Sequence, residues 1–189
     1  MAHLVYRLLP ADYGRYRTHL LALDSASRYN RFGHNANDDV INMLCNRFEA
    51  NPQKHKLFVV ENDEMEAVGV GHISLEGEQM ELAFSVLNSH QGQGIGSALM
   101  KRCIEWCQNR NIKDGCMTCL SSNSAIKRLA SRHGILVQDH GEVLADIKIP
   151  EPDAFSVINE IVESNVARLD HLGKLQRKFA RTVTFPLRF

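Results

Sequence analysis

The sequence predicts a mixed α/β protein, with a mostly antiparallel central sheet flanked by helices and a C-terminal helical extension. Three observations predict this fold class. Stretches of alternating apolar and polar residues follow one another closely between residues 57 and 87, as in a meander of strands. A glycine-rich loop, QGQGIG, joins the last of these stretches to a helix-forming run. The C-terminal part carries a long stretch with apolar residues at helical spacing.

The elements follow in order along the chain. We expect a first strand in LVYRLLP, helices in ADYGRYRTHLLAL, SASRYNRF and DDVINMLCNRFE, and strands in KLFVVEN, EAVGVGHISLE and QMELAFSVL. In the last of these strands, residues 82, 84 and 86 face one way and residues 81, 83 and 85 the other. After the loop come a helix from about Gly96 to Arg110, the strand DGCMTCL and a helix that stops at Gly134. One or two strands in ILVQDHGEVLADIKIP close the sheet, and Asp153 caps the final helix.

Composition narrows the class of partner. The chain has 189 residues, of which 44% are apolar, enough for a sizeable core. Lys and Arg together number 22, as do Asp and Glu, so no basic excess indicates a nucleic-acid or anionic membrane partner. The N-terminal segment is too polar for a signal-peptide core, and no apolar run is long enough to span a bilayer. We therefore expect a soluble cytoplasmic protein with no nucleic-acid and no membrane partner.

The five cysteines allow two interpretations. Their positions are Cys45, Cys103, Cys107, Cys116 and Cys119. A four-thiolate zinc site is one, because two of them lie one helical turn apart and two form a CxxC. However, CMTCL is typical of a strand, on which positions three apart point to opposite faces. We therefore expect reduced, buried thiols and no metal.

The loop QGQGIG indicates an anion site. A dinucleotide fingerprint needs a different glycine spacing and a later acidic residue, and a nucleotide P-loop needs Gly-Lys-Ser/Thr, so neither fits. A short turn that directs backbone N–H groups at an anion, on the positive end of a helix dipole, remains. The expected ligand is a pyrophosphate held without a lysine.

These residues resemble a known family. The segment Gln91-x-x-Gly94-x-Gly96, between an alternating strand and a long helix, resembles the acyl-CoA-binding motif of the GNAT superfamily of N-acetyltransferases. NSAIKRLASRHGI is similar to its second CoA-side helix, with departures at Ile126 and Ile135. Within the superfamily, the chain most resembles protein-lysine acetyltransferase domains that modify acyl-CoA synthetases. The resemblance implies an acetyltransferase domain over residues 1–149 and a helical extension over residues 150–189.

The resemblance implies acetyl-CoA as co-substrate and assigns residues to it. The pantetheine arm pairs with the end of the third predicted strand through the backbone of Val86 and Leu87, and an N–H near Ser85 polarises the thioester carbonyl. The pyrophosphate lies on the main chain of Gln91, Gly92, Gln93, Gly94, Ile95 and Gly96. Asn123 hydrogen-bonds the CoA arm, although a plain helix cap explains this residue equally well.

Glu81 is the expected catalytic base. It shares a strand face with small residues, which suits an open cleft, and the resembling protein acetyltransferases have a glutamate base at this position. The alternative is a solvated strand carboxylate. The tyrosine that protonates the thiolate in many members is replaced by Ala130, so no general acid is assigned, although His72 and His90 are candidates.

The sequence allows several alternatives for the acceptor and for the role of the final helix. A protein lysine is the first expectation for the acceptor amine, a small-molecule amine the second, and a non-catalytic acyl-CoA-binding module the third. Arg28 and Arg31 either bind an acidic feature of the substrate or pair with carboxylates of the fold. The final helix carries an apolar stripe of Phe155, Ile158, Ile161, Val162, Leu169 and Leu172, which we expect to pack on the body or to form a homodimer. A basic tail with Lys174, Arg177, Lys178, Arg181 and Arg188 either attracts an acidic partner or keeps the end soluble.

Overall fold

A seven-stranded sheet runs through the part of the chain that the structure describes. The structure, a computed structural model, describes residues 3–76, 79–139 and 142–183. The strands are β1 (Tyr6–Arg7), β2 (His55–Glu61), β3 (Ala67–Glu76), β4 (Gln79–Val86), β5 (Asp114–Leu120), β6 (Gly134–Asp139) and β7 (Glu142–Lys148). They lie in the order β1-β2-β3-β4-β5-β7-β6, and only β4 and β5 run parallel. The predicted mixed, mostly antiparallel sheet is confirmed.

Helices cover both faces of the sheet. They are α1 (Gly14–Leu21), α2 (Ser25–Phe32), α3 (Asp38–Ala50), α4 (Ile95–Gln108), α5 (Ser124–Ala130) and α6 (Ala154–Val183). Because successive side chains of a strand point to opposite faces, Leu57 and Val59 of β2 pack with α1 and α3, whereas Phe58 and Val60 pack with α4. Side-chain caps begin three of the shorter helices: Asp24 for α2, Asn37 for α3 and Asn123 for α5. None of the described helices is long and apolar enough to cross a membrane.

Two predicted boundaries differ from the observed ones. The first strand is only two residues long, because the chain turns into a short helical turn at Pro10–Asp12. The helix α5 ends at Ala130, before the predicted stop at Gly134. Gly134 instead begins β6, where a Cβ atom would overlap the backbone of Asp146 on β7. The glycine therefore serves the close approach of two strands, which helix-stop rules do not anticipate.

The helix α6 docks on the body through its polar face. Ser156 and Ser164 hydrogen-bond Asn109 and Arg102 of α4, while Glu160 accepts hydrogen bonds from Asn109 and Arg110. Further along α6, His171 lies 3.0 Å from the buried carboxylate of Glu61. Asp153 caps the helix as predicted, since its Oδ1 accepts the Ser156 N–H at 2.6 Å.

The predicted packing of the apolar stripe on the body is wrong. Every residue of the stripe is at least half exposed, from 53% for Val162 to 78% for Phe155. The reason is that α4 presents a buried Arg102 and Glu105 to α6, and buried charges require polar partners. Of the predicted basic tail, Arg188 lies outside the described residues.

Candidate active site

The two parallel strands are paired only where they begin. Met80 pairs with Gly115 and Glu81 with Cys116, and no further pair between β4 and β5 is found in the described chain. Beyond Glu81 the edge of β4 borders a cleft of about 520 Å³, which α2, α5 and the loop before α4 complete. The cleft is therefore a gap in the sheet itself, with unpaired backbone along one wall.

The ladder with β3 determines which backbone groups face the cleft. Residues of an antiparallel strand direct their N–H and C=O groups alternately to the two sides. The Leu87 N–H donates to the Val68 carbonyl at 2.9 Å, so Ser85, two residues earlier, also directs its groups to β3. The groups of Phe84 and Val86 consequently face the open edge. An N–H that faces the cleft near Ser85 therefore belongs to a neighbouring residue, and both backbone groups of Leu87 are already paired, its carbonyl with the His90 N–H.

The glycine loop leads into an open helix N-terminus. Gly92 and Gly94 adopt φ angles of 74° and 87°, in the left-handed region that favours glycine. Gly94 is the N-cap of α4, and its carbonyl accepts the Ala98 N–H at 3.1 Å. The first three N–H groups of α4 have no acceptor within the described chain, and no side chain caps the helix. These N–H groups form the positive end of the helix dipole, which favours the binding of an anion.

The two glutamines of the loop have different contacts. Gln91 donates from Nε2 to the Val86 carbonyl at 3.1 Å and to the Ser27 hydroxyl at 3.3 Å, which ties the loop to β4 and α2. The Gln93 carbonyl accepts a hydrogen bond from His3 Nε2 at 2.8 Å. Of the predicted cofactor residues, Ser85, Val86, Gln91, Gly92, Gly94, Ile95, Gly96 and Asn123 line the cleft, whereas Leu87 and Gln93 do not.

Asn123 caps a helix, which is one of the two roles predicted for it. Its Oδ1 accepts the Ile126 N–H at 3.2 Å and so caps α5. The residue also lines the cleft, and no hydrogen bond to its Nδ2 is formed by the described residues. Contact with a ligand therefore stays a prediction.

Glu81 lies at the point where β4 and β5 separate. Its side chain is exposed, lines the cleft and forms no ion pair with the described residues. In the sheet it stands between Ser74 of β3 and Cys116 of β5. Burial and then the Glu81 carboxylate raise the pKa of the Cys116 thiol. A carboxylate in this place is free to accept a proton from a group that enters the cleft.

Ser85 is held by a buried histidine. His19 Nδ1 donates to the Ala67 carbonyl at 2.7 Å, so its Nε2 is the acceptor for the Ser85 hydroxyl at 2.9 Å. Burial lowers the pKa of His19 to about 4, with a further small decrease from Arg31, although the Ala67 bond opposes it. The imidazole is therefore neutral at pH 7 and fixes the Ser85 side chain.

No tyrosine is among the described residues that line the cleft. Ala130, at the position of the family tyrosine, is fully buried. Cys119 lines the cleft as a thiol that donates to the Val143 carbonyl, and burial raises its pKa. Of the two histidine candidates, His90 lines the cleft, whereas His72 does not and is buried, which lowers its pKa well below 6.5.

The five cysteines are free thiols, most of them buried, as the strand interpretation of CMTCL predicts. Cys45, Cys103, Cys107 and Cys119 are buried, and Cys116 is half-buried. Burial raises the pKa of all five thiols. Within residues 3–76, 79–139 and 142–183, no group of three His, Cys, Asp or Glu side chains is placed to hold a metal ion.

The two arginines of α2 differ in their surroundings. Arg28 pairs with Asp38 at 2.7 Å and donates to the carbonyls of Leu21 and Leu23, so it has a structural role. Arg31 instead lines the cleft. Sequence reasoning also missed Phe84, Asn30, Arg128 and Arg132 as cleft residues. Only the alternation of β4 contained a signal for Phe84, because the positions of the others depend on how α2 and α5 pack.

The comparisons with known proteins agree with this architecture. Solved structures similar to the chain include the GNAT domain of S. lividans PAT, with 18% identity, a TM-score of 0.63 and coverage of 76% of this chain and 89% of that one. An N-acetyltransferase from Staphylococcus aureus Mu50 has 15% identity, a TM-score of 0.58 and coverages of 79% and 100%. The PaiA N-acetyltransferase from Thermoplasma acidophilum, in complex with coenzyme A, has 11% identity, a TM-score of 0.59 and coverages of 78% and 99%. At these identities the likeness shows the fold.

Sequence comparison gives the family. No curated protein sequence matches the chain significantly. The family model described as acetyltransferase (GNAT) family matches residues 18–135, which is more than half of the chain and includes β4, the glycine loop and α5. The chain therefore belongs to the GNAT family, whose members use acetyl-CoA, and is an acyl-CoA N-acyltransferase.

Proposed function

We propose that this protein transfers an acetyl group from acetyl-CoA to a primary amine, with a protein lysine as the first candidate acceptor and Glu81 as general base. One observation carries the proposal: the unpaired edge of β4 runs from the exposed carboxylate of Glu81 to the uncapped N-terminus of α4. A thioester held along this edge has a base at one end and an anion site at the other.

The cofactor would be held mainly by backbone. The pyrophosphate fits the left-handed turn at Gly92 and Gly94 and the first N–H groups of α4, because glycines let the backbone approach the phosphates closely. The pantetheine amides would pair with the backbone of Phe84 and the N–H of Val86 on the open edge, as an added strand does, since the Val86 carbonyl already accepts from Gln91. Asn123, whose Nδ2 is available, would contact the arm from α5.

The chemistry is direct attack by the amine. A neutral amine nitrogen forms a bond to the thioester carbon, the carbon–sulfur bond breaks, and CoA leaves as a thiolate. A backbone N–H of β4 would stabilise the charge on the carbonyl oxygen. Glu81 takes the proton of the amine, and solvent returns a proton to the thiolate. Because four strand residues span about 13 Å, Glu81 reaches an amine near Ser85 through ordered water or along a long side chain.

The lysine acceptor rests on two supports. A lysine side chain is long enough to enter past Glu81 towards the carbonyl. The GNAT domain of S. lividans PAT, at 18% identity, is among the similar solved structures. A small-molecule amine is the second candidate, because the cleft is open and α2 leaves room for a compact acceptor.

An acceptor screen tests the proposal. The protein is incubated with acetyl-CoA and a panel of amines, lysine peptides and a cell lysate, and release of free CoA is followed together with the mass of each acceptor. Acetylation that requires Glu81 would support the proposal. Binding of acetyl-CoA without transfer to any acceptor would instead leave a non-catalytic acyl-CoA-binding module.

A second copy of the chain is the partner we propose for α6. Phe155, Ile158, Val162, Leu169, Leu172 and Phe179 follow a spacing of three and four residues, with Asn165 and Gln176 at the two intervening positions. This 3.5-residue repeat is typical of a seam between helices. The six apolar side chains of this seam expose roughly 700 Å², more than the roughly 300–600 Å² patch of an ordinary monomer and near the about 800 Å² that each partner of a stable pair buries.

The remaining assignments follow from these proposals. Residues 150–189 form a C-terminal extension that mediates pairing, and residues 1–149 form the acetyltransferase domain. The free, partly buried cysteines suit a reducing compartment such as the cytoplasm.

A further inference from the structure

Arg31 is a cation without a counter-ion beside the cleft. It lies in the last turn of α2 and is half-buried. Among the described residues, no carboxylate lies within ion-pair distance of its guanidinium, in contrast to Arg28 on the same helix. A partly buried charge that lacks an opposite charge is costly, and this cost is recovered when an anion binds.

The contacts of Arg31 orient its guanidinium and leave donors open. Nη2 donates to the buried Tyr16 hydroxyl at 3.0 Å and lies 3.5 Å from Nδ1 of His72. The guanidinium group lies over the Phe32 ring, with 5.1 Å between the guanidinium carbon and the ring centroid. Nη1 forms no hydrogen bond with the described residues, and Nε is enclosed without a partner. The Arg31 side chain is thus held through Nη2, whereas its Nη1 and Nε groups have no hydrogen-bond partner among the described residues.

The surrounding groups make Arg31 the local source of charge. Burial, then Arg31 and His55, lower the pKa of His72 well below 6.5, and burial lowers that of His19 to about 4. Both imidazoles are therefore neutral at pH 7. No carboxylate of α1, α3 or β3 pairs with the guanidinium among the residues described. An anion that enters the cleft beside α2 meets the oriented charge of Arg31, whereas the other two arginines of the cleft, Arg128 and Arg132, are exposed on and just after α5.

The sheet register locates this charge relative to Glu81. His72 stands opposite Ala83, the residue midway between Glu81 and Ser85 on the same face of β4. Two strand residues span about 7 Å. His72, whose imidazole Arg31 contacts, is therefore displaced by about 7 Å along β4 from both Glu81 and Ser85. The loop at residues 91–96, which holds the phosphates in the proposed function, lies beyond the far end of β4.

We propose that Arg31 binds a carboxylate of the acceptor, so that the preferred substrate is an amine that also carries a carboxylate. This inference rests on the proposed function, in which Glu81 takes the proton of an amine held near Ser85. Such a carboxylate belongs either to a free amino acid with a long chain or to an acidic side chain next to a lysine in a peptide. Both sources present the same carboxylate group to the guanidinium of Arg31.

Matched acceptors separate the carboxylate from the amine. 6-Aminohexanoate is compared with hexylamine, and the blocked peptide Lys-Glu with Lys-Gln, using the wild type and Arg31→Gln. We expect the carboxylate form to have the higher kcat/KM with the wild type, and Arg31→Gln to reduce that preference by roughly ten- to a hundred-fold, mainly through KM. A preference for only one of the two carboxylate acceptors would identify the source. Equal kcat/KM for each matched pair with the wild type would overturn the proposal.

Two further variants exclude a merely structural role. Tyr16→Phe removes the hydrogen bond that orients Arg31 but keeps the charge, and Arg31→Lys keeps a cation without the planar fork. Tyr16→Phe should retain most of the preference and Arg31→Lys part of it. Loss of the preference in Tyr16→Phe to the same extent as in Arg31→Gln would show that packing of α2, and not the charge, is responsible.

A binding measurement does not depend on catalysis. Calorimetry with hexanoate, which lacks the amine, should detect binding to the wild type and at least tenfold weaker binding to Arg31→Gln. Hexanoate binding by a protein that acetylates no amine would overturn the proposed function and support the Arg31 site. Acetyl transfer without hexanoate binding or carboxylate preference would support the proposed function and overturn the Arg31 site.

Discussion

At the scale of single residues, Glu81 and His19 show how differently two titratable groups are placed along the same face of β4. Glu81 is exposed at the separation of the strands, whereas His19 is enclosed and neutral. Function is expected from the first and stability from the second, because a base must exchange protons with the cleft.

Replacing Glu81 by Gln should lower turnover by about a hundred-fold, near the lower end of general-base contributions. The affinity for acetyl-CoA should be unchanged, because the cofactor is held elsewhere on backbone groups. Steady-state kinetics and calorimetry measure the two quantities. Glu64→Gln, an exposed change in the turn before β3, is the matched control. Equal turnover of wild type and Glu81→Gln would remove this residue from the mechanism.

His19 should make the fold sensitive to mild acid. Its pKa is about 4 in the folded chain and near 6.5 when unfolded, so between these values the unfolded state binds a proton that the folded state does not. The free energy of unfolding therefore falls as the pH drops from about 6.5 towards 4, by up to roughly 3 kcal/mol from this residue. His72, whose pKa is also lowered, acts in the same direction.

Urea unfolding at pH 7.5, 6 and 5 measures this dependence. His19→Gln keeps an acceptor for the Ser85 hydroxyl but cannot titrate, so its free energy of unfolding should fall less with pH than that of the wild type. Parallel curves for the two proteins would contradict a buried neutral His19.

At the scale of elements, the turn before α4 should tolerate no side chain at Gly94. With a φ of 87°, a valine there costs roughly 1–2 kcal/mol of strain and displaces the backbone that forms the anion site. Gly94→Val should therefore bind CoA at least tenfold more weakly, as calorimetry would show.

Gly33→Val is the matched control, because Gly33 also has a positive φ, of 75°, and open space around it, but lies at the end of α2. Both variants should lose a similar amount of stability in thermal melts, and only Gly94→Val should lose CoA affinity. Unchanged CoA affinity in a folded Gly94→Val protein would exclude this loop as the phosphate site.

At the scale of the whole molecule, the outward stripe of α6 should control self-association. Ile158→Asp together with Leu169→Asp introduces charges into the seam, so light scattering should show a monomer where the wild type forms a dimer. Monomer melting should change little, since both side chains are exposed on α6.

Val157→Asp, a flanking position of the same helix that is 43% exposed, is the control and should leave the dimer intact. A wild type that is monomeric at high concentration would refute the pairing, and its binding to lipid vesicles would then assign the stripe to a membrane surface.

The order and type of nearly all elements, and the position of the glycine loop, could be predicted from the sequence. The strands of residues 57–87 and the glycines at 92, 94 and 96 carry local signals, since alternation, capping and left-handed turns depend on neighbouring residues. The face assignment of Glu81 follows from the same alternation, and it is confirmed by the register with β3.

Which polar groups lack a partner depends on the tertiary structure. Leu87 could not be excluded as an open backbone contact until its N–H was found on Val68. Arg28 and Arg31 lie on one helix, yet among the described residues only Arg28 meets a carboxylate, because Asp38 begins the next helix nearby. The stripe of α6 faces outwards since Arg102 and Glu105 of α4 require polar partners. Each of these outcomes depends on residues of an element that is distant in sequence. The periodicity within one segment contains no information about such residues.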